Sequence, residues 1–452
     1  MTRRSSWMDG LAKGMERLVP DAITTSILLM LVLFGFSLAL GNPLAATVDA
    51  YYRGLWMLLQ FTMQMTLILV LSLVIAASPL FRGAIISLSR IPKTTFGVVA
   101  GACLCTATIA YMNWGLALAL GPMVAIHFAR QAEIKGLPVD FLFLQATLAG
   151  AGSLWQFGLS ASAPLLVATP GHFLEGETGI MSLATTIWAP ATLVHCGVFL
   201  VATVAAGYLL MPKRPRLISE FSESLALAEE PSSATPPSTK GGGLTPARWL
   251  ELSPLTVLPL CLALSAWLYS HFFIKDLSLD INSLNTILLL SCFVLHRNID
   301  RFTGALKDAI KSSWPIVVLY HLYAGVAGLI QYTPVGETLG SMFDPILTPY
   351  TLPLLVIVIS TIVAIFIPTS GGQWVIQGAI TVNAAESVGV TAQRGLLALS
   401  IGDHMGNLIS PFWAVVGAGI ARVDFRLLFG YRLIFAVLWI VIGTVVFTFL
   451  PC

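Results

Sequence analysis

The chain has 452 residues, 56% of them hydrophobic and 10% charged, with a formal net charge of +2 and a mean hydropathy of +0.85. Soluble domains carry about 25% charged residues, so this composition excludes a soluble fold and implies a polytopic, all-α membrane protein. The near-neutral charge gives no footing for nucleic-acid binding.

Arg3, Arg4, Lys13 and Arg17 precede the first apolar run, which has no small-residue cleavage site; this predicts a first membrane helix, not a removed signal peptide. A spanning helix needs about 20 apolar residues. Candidate runs fall near 22–41, 55–77, 94–112, 114–129, 140–157 and 184–211, then near 254–274, 283–296, 314–332, 350–367, 371–385, 395–409 and 427–449. The apolar stretches 159–170 and 411–421 carry Ser or Pro where they begin and are candidates for re-entrant segments. Between the halves, 213–248 holds Lys-Arg-Pro-Arg, an acidic patch and a Pro, Ser and Gly-rich run, the composition of a flexible linker. The chain thus divides into a first membrane repeat (1–212), a cytoplasmic linker (213–248), and a connector helix with a second repeat (249–452).

Basic residues orient membrane proteins toward the cytoplasm. The clusters Arg82, Arg90 and Lys93; Arg130 and Lys135; Lys213, Arg214 and Arg216; and Arg297, Arg301, Lys307 and Lys311 all fit one side, together with the N-terminus. The second set of six segments then begins on the opposite side from the first. That is the arithmetic of two inverted repeats.

Two apolar segments are broken alike, once in each half. Ala110-Tyr-Met-Asn-Trp-Gly115 lies six residues before Gly121-Pro122, and Phe366-Ile-Pro-Thr-Ser-Gly-Gly372 lies six residues before Gly378. Matched Gly/Pro interruptions point to the binding site of a secondary transporter, because irregular backbone at membrane depth is tolerated only against protein or a water-filled cavity. A helix starting near Gln373 would aim its unpaired N–H groups at the break, a ready anion site. Ser370, Gly371, Gly372, Gln373 and Gln377 supply donors or close approach there, and Trp374 an apolar wall. Asn113, Trp114 and Gly115 play the same parts at the first break.

A third feature is Ile401-Gly-Asp-His-Met-Gly-Asn-Leu-Ile-Ser-Pro411. An acid at mid-membrane costs roughly 2.5–3.5 kcal/mol on insertion scales, so Asp403 is a candidate to bind a coupling proton or Na⁺. His404 is adjacent, and Asn407 shares the helix face of Asp403. The first-half counterpart, Gly150 to Pro164, offers Gln156, Ser160 and Ser162 but no charge. His195, His321 and Gln64 read as helix-packing contacts. Cys103, Cys105, Cys196, Cys261, Cys292 and Cys452 have no His at zinc-ligand spacing and read as reduced thiols. No phosphate loop and no H-E-x-x-H occurs, so neither ATP drive nor a zinc protease is indicated.

Ile367-Pro-Thr-Ser-Gly-Gly-Gln-Trp-Val-Ile-Gln-Gly378 resembles a stretch of the short-chain fatty acid transporter family. Met112-Asn-Trp-Gly115, Pro164-Leu-Leu-Val-Ala-Thr-Pro-Gly171 and Asn407 with Pro411-Phe-Trp413 are similar to its pattern, and the likeness runs from Leu18-Val-Pro-Asp21 to the last helix. The resemblance implies uptake of small monocarboxylates such as butyrate or acetoacetate across the bacterial inner membrane. It also implies a homodimer with a scaffold and a moving, elevator-like transport domain, no enzyme activity and no cofactor beyond a coupling ion, H⁺ or Na⁺. The family often has three glycines and a His where this chain has Ser370-Gly371-Gly372-Gln373, and Glu where this chain has Asp403. The alternative expectation is a Na⁺-coupled carrier of larger anions such as dicarboxylates; against it, neither break contains an Arg or Lys for a second charge. A passive channel or a membrane enzyme has no supporting residues.

Overall fold

A computed structural model describes residues 22–229, 245–342, 344–367 and 369–450. The N-terminal basic residues, the Leu18-Val-Pro-Asp21 match, Pro368 and Cys452 lie outside the described residues. Among the described residues every regular element is helical. The first half contains α1 (Ala22–Ala39), α2 (Leu44–Met57), α3 (Leu59–Ala76), α4 (Pro79–Ser89), α5 (Thr95–Met112), α6 (Trp114–Ile134), α7 (Phe141–Gly152), α8 (Ser162–Val167), α9 (Glu175–Thr178) and α10 (Pro190–Leu209). Next come α11 (Ser222–Glu229), α12 (Pro246–Leu252) and α13 (Leu258–Tyr269). The second half follows with α14 (Ile281–His296), α15 (Ile299–Ala309), α16 (Trp314–Gln331), α17 (Val335–Ser341), α18 (Thr351–Phe366), α19 (Ser370–Ser387), α20 (Ala392–Ile409), α21 (Pro411–Ala421) and α22 (Phe425–Phe449).

Among the described residues, five helical stretches are long and apolar enough to cross a membrane: Leu44–Ala76, Thr95–Met112, Pro190–Leu209, Pro254–Ile274 and Phe425–Phe449; a bent pair, Ile299–Ser312 and Ile316–Gln331, makes up to six. The remaining apolar runs give helices that are shorter or diluted by polar residues. α6, α19 and α20, which carry the breaks and Asp403, belong to this second group. At about 1.5 Å per residue, the 6 residues of α8 and the 11 of α21 fall well short of the roughly 30 Å hydrocarbon core. Neither is long enough to cross alone.

Two helix pairs approach closely at small residues. On α2 and α16, a Cβ at Gly54 would fall on the Ala324 carbonyl, and one at Gly328 on the Ala50 carbonyl. On α18 and α20, Gly402 lies against Ile357 and Ser360, and Gly406 against Ala364. Small residues are what membrane helices use to pack backbone on backbone, since lipid gives no hydrophobic drive for association. The second contact holds the helix that carries Asp403.

The linker departs from its composition. Its first part is ordered against the bundle: Arg82 Nη2 donates to the Leu227 carbonyl at 2.9 Å, Ser224 Oγ to the Ala421 carbonyl at 2.6 Å, and Arg130 pairs with Glu229 at 3.2 Å. These bonds offset the chain entropy that a Ser-rich segment would otherwise keep. The Pro, Ser and Gly-rich run itself lies outside the described residues.

Candidate functional site

The first break falls at Asn113, which is extended (φ −160°, ψ 127°) between α5 and α6. Its side chain replaces the interrupted ladder: Asn113 Oδ1 accepts from Leu116 N at 3.0 Å and lies 2.7 Å from Ser72 Oγ. Gly115 is required next to it, because a Cβ there would strike the Ser72 side chain. The second break leaves Thr369 extended (φ −152°, ψ 118°) before α19, and Thr369 Oγ1 donates to Tyr320 Oη at 2.8 Å. Beyond the breaks α6 and α19 run on through Gly121-Pro122 and Gly378, so those positions are not second interruptions.

The segment from the end of α7 to the first residue of α8 binds both breaks. Ser160 Oγ accepts from Trp114 N at 2.9 Å, and Ser162 Oγ accepts from Gly371 N at 3.0 Å. Thus the helix N-termini expected to hold an anion each have one leading amide satisfied by a hydroxyl from this segment. That corrects the expectation of bare N–H groups at the breaks. The cause is tertiary: the two serines, two residues apart, reach the two breaks from one short turn.

Gln156, in the same segment, reaches the second half. Its Nε2 lies 3.0 Å from Ser370 Oγ, 3.1 Å from the Ser400 carbonyl and 3.0 Å from Asp403 Oδ2. An NH₂ has two protons, so these three acceptors share two donors. Asn407 Nδ2 donates to the same Asp403 oxygen at 3.2 Å. Asp403 is fully buried, and its Oδ1 has no hydrogen-bond partner. His404 does not join it. Successive helical residues diverge by about 100°, and the His404 ring packs instead on Trp155 (5.4 Å) and Trp439 (4.7 Å) with both ring nitrogens unpartnered.

Two adjoining cavities lie beside this network, and Trp114, Trp155, Asn407 and Trp413 line both. The larger, about 170 Å³, also meets Gly121, Pro122, Gln145, His404 and Arg432. The smaller, about 80 Å³, meets Ser162, Thr369, Ser370 and Tyr320. Asp403 touches neither directly; Ser370 and Asn407 stand between.

Arg432 was not anticipated. It is buried on α22, and among the described residues it forms no ion pair; its Nε has no partner. Asp140, which caps α7, is held by Arg216 at 3.1 Å, and Arg216 also donates to Tyr431 at 3.1 Å. An arginine inside the 427–449 run was a readable signal, masked by Arg422 and Arg426 nearby in the chain.

Other expected residues sit elsewhere. Trp374 is fully buried against Gly378 and lines neither cavity. Gln373 Nε2 donates to the Ser360 carbonyl at 2.8 Å and to Gln377 Oε1 at 2.6 Å, while Gln377 faces a separate apolar cavity of about 610 Å³ between α1, α18 and α19. Only the first residue of α19 meets the chambers; its later turns pack on α18 and α16. Gly371 lies against Phe61 and Ser162, and Gly372 against Thr369 and Tyr323. The aromatic walls are Trp114, Trp155 and Trp413.

Known proteins resemble the chain along its length. A relative from Haemophilus influenzae, provisionally named a short-chain fatty acid transporter, is 28% identical over 92% of this chain and 93% of its own. One from Escherichia coli with the same provisional name is 27% identical over 97% of this chain and 98% of its own. The fold is similar to the crystal structure of the Alcanivorax borkumensis YdaH transporter, described as having an unusual topology, with a TM-score of 0.60 at 16% identity over 95% of this chain and 98% of that one. The profile of the family described as "Short chain fatty acid transporter" matches residues 5–450, and this multi-pass membrane chain belongs to that family.

Proposed function

We propose that the protein is a proton-coupled symporter of short-chain monocarboxylates in the bacterial inner membrane, with its N-terminus cytoplasmic. One observation carries this reading: a buried arginine with no carboxylate partner among the described residues lines a cavity walled by tryptophans. A buried charge needs a counter-charge, and a substrate carboxylate supplies one. Guanidinium binds carboxylate through two parallel N–H donors. One cation suits one carboxylate, so a monocarboxylate is favoured over a dicarboxylate. The walls of Trp114, Trp155 and Trp413 suit a short alkyl chain, and Gln145 and Asn407 add polar groups.

Asp403 is the coupling group in this reading. The amides of Gln156 and Asn407 donate to its Oδ2, and Ser370 is a further hydrogen-bond partner. Ser370 and Asn407 separate it from the cavities, so a proton arriving there would reset the hydrogen bonds that join the two halves. The matched breaks support the two inverted repeats, and the family resemblance supports the scaffold with an elevator-like domain and the homodimer.

The test is uptake of radiolabelled butyrate into proteoliposomes under an imposed pH or Na⁺ gradient. Protonated butyric acid crosses bilayers unaided, so the quantity to read is the saturable flux above protein-free vesicles. Acceleration by the pH gradient alone supports the proposal. Acceleration only by Na⁺ transfers Asp403 to a sodium role, and no saturable flux under either gradient removes butyrate as substrate.

A further inference from the structure

A separate chamber of about 170 Å³ lies at the start of α4. Ser78, Pro79 and Arg82 form one wall, and Leu120, Met123 and His127 of α6 another. At about 100° per residue, these α6 residues lie on the face opposite Gly121 and Pro122, which line the cavity with Arg432. The chamber is therefore not part of the site described above.

Two of its polar side chains have atoms without a partner among the described residues. Ser78 is 1% exposed and His127 5% exposed, and neither Ser78 Oγ nor His127 Nε2 has a hydrogen-bond partner. Ser78 stands at the N-cap of the 11-residue α4 yet makes no side-chain cap bond, and Pro79 follows it. The hydroxyl and the positive end of the helix are thus both left for whatever fills the chamber. Arg82 adds a guanidinium while also donating to the Leu227 carbonyl. Among the described residues, no Asp or Glu lines the space.

Hydroxyl, imidazole, guanidinium and helix start, with no acid among them, are the donor set of an oxyanion site. We infer that this chamber is a second, separate oxyanion site, for a small carboxylate or inorganic phosphate, formed by Ser78, the first turn of α4, Arg82 and His127. It does not rest on the transport reading. Arg82 also connects it to the linker, since the same guanidinium holds α11.

The test uses the full-length protein in lipid nanodiscs, labelled with [¹³C]histidine; the chain has 7 His, and His127→Gln identifies the His127 resonance by its loss. Acetate, inorganic phosphate and chloride are titrated separately. The expected result is a saturable shift of the His127 resonance with acetate or phosphate and not with chloride, weakened several-fold by Ser78→Ala and unchanged by Arg432→Gln. A response to acetate assigns a carboxylate, and a response to phosphate alone assigns phosphate. Ser78→Gly, which keeps a residue tolerated at a helix start, replaces Ser78→Ala if that variant does not fold. No saturable shift with either oxyanion, an equal shift with chloride, or a shift indifferent to both Ser78 variants would overturn the proposal.

Discussion

Gln156 Nε2 lies 3.0 Å from Asp403 Oδ2, which ties the irregular segment of the first half to the one acid buried beside the second break. The same amide reaches Ser370 Oγ at 3.0 Å. Protonating Asp403 at its unpartnered Oδ1 would leave Oδ2 accepting from Gln156 and Asn407 as a neutral carbonyl, so both bonds would lose their charge assistance, and the proton state of the acid is linked by geometry to the contact between the two breaks.

Asp403→Asn keeps the size of the side chain and removes the proton site. Saturable butyrate exchange should persist in this variant, while its acceleration by an acid-outside pH gradient should disappear. Counterflow and gradient-driven uptake in the same vesicles measure the two separately. Full retention of gradient-driven uptake would exclude Asp403 as the coupling group.

Arg432→Gln should raise the KM for butyrate without unfolding the protein. Truncating one partner of a buried charge pair costs about 2–5 kcal/mol, which is roughly 30-fold or more in affinity. Arg432→Lys should recover part of the loss, since the charge returns without the planar fork. A KM unchanged in Arg432→Gln would move the carboxylate elsewhere.

The tryptophan walls predict a chain-length series. Each buried methylene contributes about 0.8 kcal/mol, so apparent affinity should rise roughly fourfold per carbon from acetate to butyrate. Trp155→Ala should flatten that rise more than it weakens acetate. Competition by unlabelled acids against labelled butyrate gives the series, and a flat series in the wild type would contradict an apolar chain subsite.

Much of the site was legible because polar and Gly/Pro residues stand out in an apolar chain. Asn113, Ser370, Gln156, Ser160, Asp403 and Asn407 announce themselves this way, and the fold brings them into one region. The orientation of α19 was not legible. Ser370 to Gln377 reads as one block, yet only its first residue meets the chambers, because the Gln373 bond to the Ser360 carbonyl turns the rest toward α18. Arg432 and Trp155 gain their places only by contact between segments far apart in sequence. The pairing of Ser160 and Ser162 with the two breaks is likewise tertiary.

Close packing on α20 gives a stability prediction. Gly402→Ala would put a methyl into the Ile357 carbonyl. Overpacking of this kind costs about 1–3 kcal/mol, so the melting temperature of the purified protein should fall. Gly417→Ala, where nothing lies near the added Cβ, is the matched control and should melt as the wild type does.

The serine caps separate two ways of holding the substrate anion. If the helix N-termini bind the carboxylate, Ser162→Ala frees the Gly371 N–H for it, and affinity should hold or improve. If Arg432 binds it, Ser162→Ala only strands a buried donor, at about 1–3 kcal/mol of stability, with little change in KM. The second outcome is expected, because Ser162 Oγ already satisfies Gly371 N at 3.0 Å and Arg432, without an ion pair among the described residues, lines the larger of the two cavities beside Asp403. Measuring melting temperature and KM together on Ser162→Ala and Arg432→Gln decides it: stability lost with KM held in the first variant, and KM raised in the second. A fall in KM for Ser162→Ala would return the anion to the start of α19.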